Sequence, residues 1–192
     1  VILLAENPLL EEIKEEALKC ERCDLKNSRR SVVFGEGNPN ADLMFVGEGP
    51  GANEDLEGLP FVGKAGQLLT RALKAVGLER EEVYITNVVK CRPPQNRTPS
   101  FLEISLCKPY LDAQIAIIKP KIIVCLGVAA MNALINSRLP ISKMRGKWIE
   151  KDNILYLATY HPAALLRDPS KNKFFIEDLR NIKEHYQLLK ER

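Results

Sequence analysis

The sequence predicts an α/β fold: a three-layer α/β/α sandwich around a four-stranded parallel sheet, with residues 1–192 forming one domain. Three observations lead there. Four short apolar runs, at 43–46, 83–89, 122–126 and 154–159, have the length and composition of strands buried on both faces. Segments with helical spacing separate them, and strands alternating with helices imply a parallel sheet covered on both sides. A chain of 192 residues, 45% hydrophobic and 28% charged, suits a single core.

The elements follow in order. Asn7 can cap a first helix, Pro8 fits its first turn, and Glu11 and Glu12 suit the positive end of its dipole. Leu9, Leu10, Ile13 and Ala17 share one face of it. A second helix spans about 63–76, with Leu68, Leu69, Ala72, Leu73 and Val76 on one side and Gly77 as the stop. A third starts after Thr98-Pro99 and runs to about 118, with Pro109 a point where it can break. Two more cover 128–135 and 173–189, the last with Phe175, Leu179, Ile182, Tyr186 and Leu189 at helical spacing. There is no internal repeat.

Charge and composition narrow the function. The formal net charge is +3. Residues 1–20 carry five Glu and two Lys, so the rest of the chain is more basic than the total, which fits a polyanionic partner. Abundant Lys, Glu and Ile fit a hot habitat. No apolar run approaches the roughly 20 residues of a membrane span. The opening Val1-Ile2-Leu3-Leu4-Ala5 is too short for the apolar part of a signal peptide, so a cytoplasmic protein is expected.

In open α/β sheets, ligands sit beyond the carboxyl ends of the strands. The residues expected there are Gly47-Glu48-Gly49-Pro50-Gly51, Asn87, Gly127 and Tyr160-His161-Pro162. Glu48, Asn87 and His161 would then converge on one crevice, the alternative being that each only caps its strand. The glycine turn reads G-x-G-x-G and not G-x-G-x-x-G, which argues against a dinucleotide site.

Five cysteines without an export signal point to metal or simple burial rather than disulfides. Cys20 and Cys23 form a C-x2-C pair at the end of the first helix, and Cys91 and Cys107 flank a Pro- and Arg-rich segment. Four thiolates can hold tetrahedral zinc or an iron–sulfur cluster, and the loop sequence does not choose between them. Cys125 lies within an apolar strand and reads as core.

Longer motifs then carry a resemblance. Glu48-Gly49-Pro50-Gly51-Ala52-Asn53-Glu54-Asp55, followed by Gly58-Leu59-Pro60-Phe61-Val62-Gly63-Lys64-Ala65-Gly66, resembles the first signature of the family 4, iron–sulfur uracil-DNA glycosylases. Asn87-Val88-Val89-Lys90-Cys91-Arg92-Pro93-Pro94 resembles the second, and His161-Pro162-Ala163-Ala164-Leu165-Leu166-Arg167 the third. The resemblance implies a hydrolase that excises uracil from DNA and leaves an abasic site. It implies a [4Fe–4S] cluster on Cys20, Cys23, Cys91 and Cys107. It implies that Phe61 stacks on the flipped uracil, Asn87 reads its polar edge and His161 bonds its O2. Glu54 would sit beside C5 against a thymine methyl, Glu48 and Gly49 would face the sugar and water, and Leu165 would be the wedge in the duplex. In the best-known uracil glycosylases an Asp that helps the water attack stands where this chain has Gly49, which leaves Glu48 as the candidate.

The chemistry suits these residue types. A stacked base is out of reach, so the nucleotide must be extruded, at a cost of a few kcal/mol that a wedge and an aromatic platform offset. One amide can meet uracil O4 and N3–H together. A donor aimed at O2 stabilises the departing anion. Lys90, Arg92, Arg97, Lys143, Arg145, Lys147 and Arg167 lie in or beside expected loops and could line the DNA backbone. His185 reads as a surface residue. The expected partner is uracil-containing DNA, single- or double-stranded, with a sliding clamp a candidate and a monomer the expected state. Two rivals stand beside this: a redox or electron-transfer protein using the cluster, and a non-catalytic nucleic-acid-binding module with structural zinc.

Overall fold

A computed structural model describes residues 6–192; the opening segment 1–5, read above for an export signal, lies outside the described residues. In chain order the main elements are α1 (Pro8–Leu18), β1 (Glu36–Gly37), β2 (Leu43–Gly47), α2 (Ala52–Glu57), α3 (Lys64–Ala75), β3 (Tyr84–Asn87) and α4 (Phe101–Ile118). They continue with β4 (Ile122–Leu126), α5 (Val128–Ile135), α6 (Ile141–Met144), β5 (Trp148–Lys151), β6 (Ile154–Thr159), α7 (Pro162–Arg167) and α8 (Asn172–Lys190). Among the described residues, no helix is long and apolar enough to cross a membrane.

The sheet has six strands in the order β1-β3-β2-β4-β6-β5. The four expected strands form its parallel centre, and two antiparallel strands extend it at the edges. The expectation of four strands is thus corrected to six, in a mixed sheet. Neither edge strand carries an apolar run: β1 has two residues, and β5 is only half-buried at Trp148 and Ile149 and exposed beyond. The end of the expected run at 83–89 leaves the ladder after Asn87, yet Val88 and Val89 still donate to the carbonyls of Gly47 and Glu48.

Strand alternation divides the apolar side chains between two cores. Met44, Val46, Ile123 and Cys125 pack with α1, α4 and α5 on one face. Leu43, Phe45, Ile122 and Val124 pack with α3, α7 and α8 on the other. Helices therefore cover both faces, as expected for a three-layer sandwich. After β2 the chain places β3 on one side of it and β4 on the other, so the strand order reverses beside β2. That reversal opens a crevice at the carboxyl ends of the strands.

The helix ends follow local chemistry. Asn7 Oδ1 caps α1 by accepting from the N–H of Leu9 and Leu10. Helix α4 runs unbroken through Pro109. It starts with a reciprocal cap, in which Ser100 Oγ accepts from the Glu103 N–H (3.1 Å) and a Glu103 carboxylate oxygen accepts from the Ser100 N–H (2.8 Å). Replacing Ser100 by Ala removes one side of this cap, a loss of about 1 kcal/mol. The expected outcome is a melting temperature lower by roughly 2–4 °C in calorimetry; an unchanged melt would show that the cap does not contribute.

Candidate active site

The crevice at the reversal point measures about 670 Å³ and is lined from three strand ends. Glu48, Gly49 and Glu54 come from the segment after β2, Leu126 and Gly127 from the end of β4, and His161 and Arg167 from the segment after β6. Asn87, at the end of β3, lies below this rim at a point of close packing. A Cβ added to Gly47 would fall 2.6 Å from Asn87 Oδ1 and 2.5 Å from Phe61 Cζ, so the absence of a side chain at Gly47 lets both approach. The Phe61 ring in turn stacks on His161, with ring centroids 5.5 Å apart. Glu48, Gly49, Glu54 and His161 thus line the crevice, while Asn87 and Phe61 do not line it and pack behind it at Gly47, Phe61 against His161.

His161 has a defined tautomer. It caps α7, and its Nδ1 accepts from the Ala163 N–H at 3.0 Å. An imidazole accepting at Nδ1 carries its proton on Nε2, which makes Nε2–H a donor. Burial, with the nearby positive charge of Arg167, pulls the ring down to about 4, so it is neutral at ordinary pH. Glu48 behaves oppositely: burial raises its carboxyl above the usual 4.5, while Arg167 opposes the rise. Asn87 is 2% exposed, and its Oδ1 has no hydrogen-bond partner.

Glu54 borders the crevice, and its carboxylate is fully engaged. One oxygen accepts from the Gly51 N–H (3.2 Å), the other from the N–H of Val62 (3.2 Å) and Gly63 (2.8 Å). These bonds tie the turn that carries Phe61 to the start of α2. At Gly49, an added Cβ would meet Val89 Cγ2 at 2.7 Å, so the segment just past β3 crowds the place of an Asp.

Leu165 requires a correction. It is 1% exposed and packs in the core with α3 and α8, so it cannot reach a duplex without unpacking α7. Consecutive residues of a helix point about 100° apart, and the exposed apolar residue of α7 is Leu166, at 46%. Two expected DNA-facing cations are corrected as well. Lys90 is buried, its Nζ donating to Thr86 Oγ1 (2.6 Å), the Asn87 carbonyl (2.7 Å) and Gln114 Oε1 (2.6 Å). Arg145 is occupied by Asp178 and Glu177. Arg97 and Arg167 do border the crevice. His185 is half-buried, its ring 4.4 Å from that of Trp148.

Cys20, Cys23, Cys91 and Cys107 gather where the end of α1 meets α4, packed against one core. Burial raises the Cys91 thiol and pushes Cys107 up to about 11, and the neighbouring cysteines push both in the same direction. Two donors already aim at sulfur: the Lys90 N–H at Cys107 Sγ (3.2 Å) and the Arg29 guanidinium at Cys91 Sγ (3.5 Å). Such donors suit thiolates bound to a metal centre. Among the described residues, no three His, Cys, Asp or Glu side chains converge as a single metal ion requires. Cys125 is core, as expected.

The chain has relatives among known proteins. A family model described as the uracil DNA glycosylase superfamily matches residues 34–183. The chain is 52% identical over 184 residues to a type-4 uracil-DNA glycosylase of Sulfurisphaera tokodaii, covering 91% of this chain and 84% of that protein. It is 49% identical to the type-4 uracil-DNA glycosylase of Saccharolobus solfataricus, covering 91% and 85% of the two chains. With the type-4 uracil-DNA glycosylase of Archaeoglobus fulgidus it shares 44% identity over 91% and 92%.

The tautomer at His161 can be checked directly. In an NMR pH titration its ring is expected to stay neutral, with Nε2 protonated, down to about pH 4. Titration near the ordinary 6.5 would show that the Ala163 cap and the burial do not control this ring.

Proposed function

This chain belongs to the uracil DNA glycosylase superfamily, among its type-4 enzymes, and we propose that its crevice receives a uracil flipped out of DNA. The enzyme is a DNA-repair hydrolase that cuts the N-glycosyl bond of uracil in DNA. The observation that carries the assignment of the base pocket is Asn87 Oδ1, a buried acceptor without a partner. An unmet buried polar atom costs roughly 1–3 kcal/mol. Uracil N3–H supplies the missing donor, and the amide N–H of the same side chain meets O4. Cytosine reverses this pattern and leaves both atoms unpaired.

The other roles follow from the positions given above. Phe61 offers a ring face to the flipped base. As the C1′–N1 bond breaks, negative charge grows on uracil, and the neutral His161 donates through Nε2–H to O2. Because the imidazole is uncharged and its tautomer is held by the backbone, the donor needs no reorganisation during the reaction. Losing such a donor typically lowers the rate by about 10²–10³-fold. Glu48 accepts the proton of the attacking water as positive charge develops on the sugar, a base role that its raised pKa favours. Glu54 narrows the space beside uracil C5 from a carboxylate fixed by three backbone N–H groups. Leu166 is the apolar side chain that α7 offers to the gap left in the duplex, and Arg167 on the rim meets a phosphate, while Arg97 is paired with Glu103.

Cys20, Cys23, Cys91 and Cys107 would hold a [4Fe–4S] cluster. Four grouped thiols, two of them already approached by N–H donors, suit it. When bound, the cluster would supply a crosslink between the end of α1, the segment after β3 that carries Cys91, and helix α4.

Two measurements test these assignments. An oligonucleotide with one uracil, incubated with the enzyme and then heated in alkali, is expected to break at that position. Its single-turnover rate is expected to fall as pH drops through a value above 4.5, and Glu48→Gln is expected to slow the reaction and abolish that limb. A Glu48→Gln enzyme with the wild-type rate and limb would remove Glu48 from the reaction. Separately, the purified protein is expected to be brown and to contain iron and acid-labile sulfide; one zinc per chain without sulfide would refute the cluster.

A further inference from the structure

Phe61 has an unusual backbone. Its φ is +51°, a left-handed conformation that an aromatic residue adopts only when its surroundings impose it. Helix α3 makes room for it: a Cβ on Gly66 would lie 1.9 Å from the Phe61 carbonyl oxygen. Glu54 holds the amides that follow, at Val62 and Gly63. The carbonyls before and at the bend are held by Arg80, on the short 3-10 turn Arg80–Glu82. One arm of its guanidinium donates to the Pro60 carbonyl (2.5 Å) and the other to the Phe61 carbonyl (2.9 Å). The second arm also donates to Thr70 Oγ1 (2.9 Å), which is itself anchored on the Gly66 carbonyl (3.1 Å). Glu36 lies 3.9 Å behind the guanidinium, whose side chain is 18% exposed.

We propose that Arg80 is a positioning residue for uracil excision: its planar fork clamps the Pro60 and Phe61 carbonyls and thereby holds the Phe61 ring in register with the base. Arg80 lines a separate pocket with Phe61 and Thr70, away from the crevice of Glu48 and His161, so it reaches the base through Phe61. A guanidinium suits the task because two parallel donors fix the orientation of two carbonyls, which a single ammonium cannot do. Released from the clamp, Phe61 relaxes towards ordinary backbone angles, and its ring tilts out of the stacking plane over Gly47 and beside His161. The inference rests on the stacking role proposed for Phe61.

The test is a double-mutant cycle read as single-turnover uracil excision by the cluster-containing enzyme. Arg80→Gln is expected to slow excision by about tenfold, within the roughly 5- to 150-fold that losing a whole base–aromatic stack costs. Thr70→Val, which removes only the guanidinium's side support, is expected to give a smaller loss in the same direction and guards against misfolding of the first variant. In a Phe61→Ala background neither change is expected to cost anything further, and affinity for abasic-site DNA is expected to stay the same throughout. Arg80 losses that persist undiminished in the Phe61→Ala background would overturn the inference and leave Arg80 a general stabiliser. A Phe61→Ala enzyme with the full rate would instead overturn the stacking role itself.

Discussion

The ammonium of Lys90 is the constraint around which the functional end of the molecule is arranged. An ion so buried costs several kcal/mol unless its protons are met. Burial pulls its pKa down to about 7, the neighbouring Cys107 opposing that pull. Three oxygens meet it, two from β3 and one from Gln114 on α4. Gln114 spends its own amide protons on the Phe34 carbonyl and the Tyr84 hydroxyl. The backbone N–H of Lys90 points at Cys107. One residue therefore ties the carbonyl of Asn87 to the helix that carries Cys107, so the proposed base-reading amide and the cysteine centre cannot move independently. Apolar packing places the sheet, but this polar knot sets where its third strand stops.

Around that stop, the pocket is shaped by removal as much as by addition. Phe61 and Asn87 can meet because Gly47 has no side chain between them, and the turn after β2 can run against Val89 because Gly49 has none. The same crowding excludes an Asp at Gly49, and with Glu54 engaged by three backbone N–H groups, Glu48 is the rim carboxylate not held by backbone. On the opposite wall His161 is an N-cap as well as a donor, so the start of α7 and the protonation of the ring are one structural fact. A helix that frayed at Pro162 would also free the tautomer.

The parallel centre of the sheet and the longer helices were legible because their patterns are strong: apolar runs of strand length, Asn7-Pro8 before α1, Thr98-Pro99 before α4. The edge strands were not, because β1 is two residues long and β5 faces solvent, so neither carries an apolar run. Within the site, Glu48, Asn87 and His161 were recognisable as polar residues at strand ends. Leu165 and Leu166 were not separable, since choosing between them needs the phase of a six-residue helix against α3 and α8. Lys90 read as a loop cation because its partners lie up to 24 residues away. Arg80 left no trace in any motif: its importance depends on a backbone angle nineteen residues upstream.

Cys125 sits in the middle of β4, wholly enclosed, with a thiol that burial holds well above its ordinary pKa. The other four cysteines cluster elsewhere, at the junction of α1 and α4. The molecule thus contains two populations of sulfur that answer to different events. If the four hold the proposed cluster, they would become reactive when it is lost, and the fifth only when the central sheet opens. Thiol chemistry can accordingly tell loss of the centre from loss of the fold, two forms of damage that a measurement of activity would merge.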